Sequence, residues 1–127
     1  MDDEATGWKR WRELTTILLE MLSTINGILT QLPIPISLTV PVSEEEMVLP
    51  RLNDIIRAIT LIEEMPALPE MPRGLLRTAI LSWLTAFQLS KIFRYDDNRD
   101  SWNLDAMEVA IAQMIAALEV ADSILDE

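Results

Sequence analysis

From Trp11 to Leu32 an apolar residue recurs at alternating steps of three and four, at Trp11, Leu14, Leu18, Met21, Ile25, Ile28 and Leu32. A repeat averaging about 3.5 residues keeps one stripe along one side of an α-helix, whereas a half-buried strand would show every second position. The same phase returns at Leu104, Met107, Ile111, Met114, Leu118, Ala121 and Leu125. Between these stretches, Leu52, Ile55, Ile59 and Ile62 mark a shorter helix, and Leu76, Ile80, Trp83 and Phe87 mark another. The expected fold is an all-α four-helix bundle with helices at about 7-32, 50-65, 73-94 and 101-126. Two seams of equal length predict that the first and last helices are neighbours. A chain of 127 residues fits one domain, 1-127, and hides about two thirds of its unfolded surface.

Local chemistry marks the ends of these helices. Pro50 suits a first helical turn, where its missing N–H would be unpaired anyway, while Ser43 followed by Glu46 matches a capping box. The first alternative makes residues 43 to 48 a separate turn and is preferred, because the second leaves Pro50 inside the helix as a kink. Asn26-Gly27 is a turn signal inside the first seam and predicts a weak point or an early end there. Asp100 or Ser101 can cap the last helix.

Two connectors have patterns of their own. From Pro33 to Ser43 apolar side chains occupy 34, 36, 38, 40 and 42, with Pro, Ser or Thr at the odd positions. That is a strand's period, but prolines at 33, 35 and 41 cannot donate ladder hydrogen bonds, so the segment reads as an extended proline-rich arm at 33-43. With no second strand candidate, the arm either lies on its own bundle or reaches another chain. Met65 to Arg73 repeats Met-Pro-Ala, Leu-Pro-Glu, Met-Pro-Arg, the period of polyproline II, and predicts a stiff spacer with Met65, Leu68 and Met71 along one edge.

Composition then narrows the function. There is no cysteine and no histidine, which removes thiolate nucleophiles and metal sites together with the commonest general base. The three glycines are isolated, so no phosphate-binding loop exists, and the Glu-x-x-His pattern of di-iron bundles is ruled out. Carboxylates such as Glu13, Glu20, Glu63 and Glu64 read as a solvated face. The expectation is therefore no enzyme, no cofactor and no metal. Asp96, Asn98 and Asp100 begin like a calcium loop, but Ser101 stands where glycine is wanted and Met107 where a bidentate Glu is. The formal net charge of -11 repels phosphates, so no direct nucleic acid binding is expected. Prolines and charges interrupt every apolar run short of a membrane span, and the acidic first residues do not resemble a signal peptide. A cytoplasmic or virion-associated location follows as an expectation.

Charge is also patterned locally. Trp8 and Trp11 interleave with Lys9, Arg10 and Arg12, which is expected to put indoles over the bundle end with the cations in water. Asp105, Glu108, Glu119, Asp122 and Asp126 share two adjacent heptad positions, an acidic stripe whose ends could pair with Arg73, Arg77, Lys91 and Arg94 or with a neighbouring subunit. By contrast, the thirteen residues between Arg77 and Lys91 are uncharged, and from Val109 to Leu118 the one polar side chain is Gln113. A monomeric bundle helix shows one polar face, so these stretches need a cover, either the arm or another subunit.

The sequence thus points to a non-catalytic structural or assembly subunit that acts through protein partners, as a homo-oligomer or as a component of a larger assembly such as a viral particle. The alternative is an acidic adaptor or inhibitor that binds a basic protein surface. The interaction residues expected are Ile34, Ile36, Leu38, Val40 and Val42 on the arm, Met65, Leu68 and Met71 on the spacer, and Val109 and Val120 on the last helix.

Overall fold

The computed structural model describes residues 2–38, 49–95 and 101–126. Every regular element among them is a helix: α1 (Asp2–Leu29), α2 (Leu49–Glu63), α3 (Glu70–Tyr95) and α4 (Ser101–Leu125). The apolar seams close the core. Trp11, Leu14, Leu18, Ile25, Ile28 and Leu32 are buried, as are Leu104, Met107, Ile111, Met114, Leu118 and Ala121.

α3 is the central helix, touching α1, α2 and α4, with α4 as its most extensive partner. The first and last helices do meet, as their equal seams suggest: α1 is shared almost evenly between α4 and α3, while α4 packs chiefly on α3. Small side chains explain the preference, since Ala79 and Ala86 on α3 and Ala110, Ala117 and Ala121 on α4 are all buried and let the backbones come close. Two indoles tie α3 to α1. Trp83 Nε1 donates to the Leu18 carbonyl at 2.8 Å and Trp11 Nε1 to the Ser90 carbonyl at 3.1 Å. A buried indole N–H needs an acceptor, and a helical carbonyl keeps a second lone pair for it.

α1 ends at Leu29, three residues short of the expected 32, although Leu32 keeps its buried place. The helix tightens first, with Gln31 N–H on Ile28 O and Leu32 N–H on Leu29 O. Then the chain turns back. Ile36 N–H donates to Leu29 O at 3.0 Å and Leu38 N–H to Asn26 Oδ1 at 2.7 Å. Residues 33 to 38 are neither helix nor strand, and their hydrogen-bond partner is the end of α1. Ile36 and Leu38 are buried in this chain's own core, the first of the two placements left open for the arm. Val40 and Val42 lie outside the described residues, as do Ser43, Glu46 and the calcium-like run 96 to 100.

The polyproline spacer is also corrected. α3 begins at Glu70 instead of 73, with Pro72 in its first turn, where a proline's fixed φ fits and no hydrogen bond is lost. Residues 64 to 69 form a tight connection whose carbonyls at Met65 and Leu68 both accept from Arg73 Nη2 at 2.7 Å. Met65 and Leu68 are buried.

Candidate functional site

α4 shows two different flanks to solvent. On the flank toward α1, Arg10 pairs with Asp105 at 2.8 Å and with Glu108. The hydrogen bond to Glu108, then that to Asp105, holds the Arg10 guanidinium above its already high range. Below this cluster a groove between α1 and α4 is lined by Met21, Thr24, Ile28, Ile115, Leu118, Glu119 and Asp122. Neither Glu119 nor Asp122 has an ion pair among the described residues. The bases of α3 make contacts of their own. Arg77 pairs with Glu63 of α2 at 2.7 Å, Arg73 holds the turn, Lys91 lies 5.8 Å over the Phe87 ring and Arg94 5.6 Å over Trp11. At its Asp105 and Glu108 end the acidic stripe is answered from α1. Trp8 packs edge-on against Trp11 and Phe93, with ring centroids 5.5 and 5.1 Å away, and closes the end of the bundle.

The other flank of α4, away from α1, is uncharged. Trp102, Val109 and Val120 stand 55, 57 and 48% exposed, and Gln113 and Ala116 lie between them at helical spacing. α3 continues this surface. Since five residues separate α3 from α4, the helices run antiparallel, and the uncharged stretches 78 to 90 and 109 to 118 are equidistant from the turn and lie abreast. Thr78, Leu81, Thr85 and Gln88 are exposed there, and a shallow depression is lined by Leu81, Leu84, Thr85, Gln88 and Leu89. Met71, 67% exposed, extends the apolar surface of α3 toward its start.

No protein-family model, curated protein or solved structure matches this chain. What the face can do rests on its own chemistry.

Of the residues singled out from the sequence, Val109, Val120 and Met71 are exposed apolar side chains and Ile34 is exposed at a groove between the arm and α2. Ile36, Leu38, Met65 and Leu68 are inside. Sequence reasoning missed Trp102 and Leu81. For Trp102 the signal exists. Counting from it gives Trp102, Ala106, Val109, Gln113, Ala116 and Val120, a second run of alternating fours and threes beside the buried seam. Among the described residues no three metal-binding side chains converge, and no helix is long and apolar enough to cross a membrane.

Proposed function

We propose that this protein is a non-catalytic assembly subunit that associates through the outer face of α3 and α4. The observation that carries this is a pair of adjacent uncharged helical stretches, 78 to 90 on α3 and 109 to 118 on α4, in a chain where Asp, Glu, Lys and Arg make up 24% of residues. Apolar side chains scattered singly over a surface need no explanation, but a contiguous patch framed by polar residues does. The second helical seam on α4 runs 18 residues beyond Trp102, about 27 Å at 1.5 Å per residue. With helix axes about 9 Å apart, the face is roughly 20 Å wide, so its projected area is on the order of 500 Å² before side-chain relief is added. A stable interface takes about 800 Å² of accessible surface from each partner, and this face is of that order. Light scattering across a concentration series tests the proposal. A mass above the 14.5 kDa chain that persists in high salt supports it, and a monomer at every concentration overturns it.

A second reading is favoured by the groove between α1 and α4. Its floor is apolar and its rim carries Glu119 and Asp122, so it suits a basic amphipathic segment of another protein. Docking there would weaken steeply with salt, whereas the apolar face would not. A basic helical peptide titrated at two ionic strengths separates the two.

A further inference from the structure

The end of α1 that anchors the arm carries a chemically labile pair, and we infer that Asn26-Gly27 is a self-modification site held in check by the arm folded over it. Asparagine is thermolabile because the backbone nitrogen of the next residue can attack its side-chain carbonyl carbon. In that step the bond from the Gly27 nitrogen to Asn26 Cγ forms, the bond from Cγ to Nδ2 breaks, and ammonia leaves with the hydrogen of the Gly27 amide. Water then opens the resulting succinimide at either carbonyl, giving aspartate or isoaspartate. A side chain on the attacking residue crowds the reaction, and glycine has none. Asn26 precedes glycine, whereas Asn53, Asn98 and Asn103 precede Asp54, Arg99 and Leu104. Packing does not ask for glycine at 27, since a Cβ built there meets nothing within 4 Å. Nor does the helix, in which alanine is the better former.

Two features of the fold oppose the attack. Inside α1 the Gly27 N–H is committed to the carbonyl one turn back, and ring closure requires the Asn26 backbone to leave its helical conformation. The arm is the second. Asn26 Oδ1 accepts the Leu38 N–H at 2.7 Å, which fixes the side-chain amide, and Leu38 is itself held by its burial and by the neighbouring bond from Ile36 N–H to Leu29 O. Yet the site lies in the last turn of α1, which ends at Leu29, and helix ends open locally at less cost than the core. The reaction therefore proceeds when the last turn and the arm open together. Its outcome is one-way. Aspartate at 26 still offers an oxygen to Leu38, but isoaspartate routes the main chain through the side-chain methylene. That extra atom breaks the helical hydrogen-bond ladder and displaces the acceptor, so the arm loses its anchor. This inference is independent of the self-association proposed above.

The test is to hold the full chain at mildly alkaline pH, which favours loss of the Gly27 amide proton, and to follow Asn26 by peptide mass spectrometry with an isoaspartate assay. In urea-unfolded protein Asn26 should convert ahead of Asn53, Asn98 and Asn103, and folding should slow it by about tenfold or more. Ile36→Ala loosens the arm without touching the pair and should restore much of the unfolded rate. If that variant does not stay folded, Ile36→Val should give a smaller rise. Gly27→Ala, which fits the open space, should suppress conversion in folded and unfolded chains alike. In the isoaspartate fraction, amide exchange at Leu38 should be faster than in unconverted protein. Equal rates in folded and unfolded protein overturn the inference. So does a folded rate that stays constant when the Ile36 variants speed exchange at Leu38, since the helix alone would then be the guard. Unchanged exchange at Leu38 in the isoaspartate fraction overturns the release of the arm.

Discussion

The arm at 33 to 38 and the outer face of α3 and α4 look alike in sequence, since both offer apolar side chains beyond those the four helical seams call for. They end on opposite sides of the surface. In the arm, Ile36 and Leu38 point inward and their amides are taken by Leu29 O and Asn26 Oδ1. On the outer face, Val109, Val120 and Trp102 stay at least half or nearly half exposed. The difference lies in the backbone. A segment that is neither helix nor strand has free N–H groups that must find acceptors, and the open C-terminal end of α1 supplies them, whereas a helix has satisfied its own and can leave its side chains outward.

The sharpest way to break this comparison is to charge the arm. Ile36→Asp with Leu38→Asp should cost the fold itself. Truncating one such buried side chain costs about 2–5 kcal/mol, and burying carboxylates adds to that, so urea unfolding should shift to a far lower midpoint or vanish. Retained stability with loss of association would instead make the arm an external contact. The corresponding change on the other region is Val109→Glu with Val120→Glu. Both positions are exposed, so the unfolding free energy of the monomer should change by less than about 0.5 kcal/mol each. The oligomer should dissolve, because the carboxylates would be buried without partners.

The seams in α1 and α4 were legible because heptad spacing reports directly which residues share a side, and the same is true of the uncharged stretches at 78 to 90 and 109 to 118. Spacing does not report what lies opposite. The pattern Pro-Ile-Pro-Ile-Ser-Leu named Ile36 and Leu38 as one face, but only the return of the chain onto Asn26 turned that face inward. At Pro66, Pro69 and Pro72 the period of three was real and its meaning was not. A proline in the first turn of a helix leaves the same trace as one in polyproline II, and the burial of Met65 and Leu68 that decides between them depends on Arg73 folding back over the turn. Arg10 was paired with Asp105 and Glu108 across 95 and 98 residues, and no local pattern announces that.

A smaller test sharpens the arm's side of the comparison. Asn26→Ala removes the acceptor for Leu38 N–H while leaving the helix a better former at that position. The part-buried amide then lacks a partner, and the expected loss is about 1–2 kcal/mol, visible in the denaturation midpoint. Amide hydrogen exchange at Leu38 should rise well before that at Leu18 or Leu22 in the core of α1. Equal acceleration at all three would mean that the arm and the helix open as one unit.

The smallest expected effect is on the acidic flank, where Arg10→Gln removes the cation from Asp105 and Glu108. Both carboxylates are well exposed and Arg10 is half-buried, so the expected change is about 0–1 kcal/mol at low salt and less at high salt. The sign with pH follows from the direction of the shift. A cation whose folded-state pKa is raised contributes stability that is present below its unfolded value and lost only as pH climbs through the folded one, so the Arg10 contribution does not change through loss of its own proton between acid and mildly alkaline conditions. Association should be untouched by the substitution, because Arg10 lies on the α1 flank of α4 and the outer seam lies on the other. A fall in oligomer mass on Arg10→Gln, with stability unchanged, would move the interface from the uncharged face to the acidic groove.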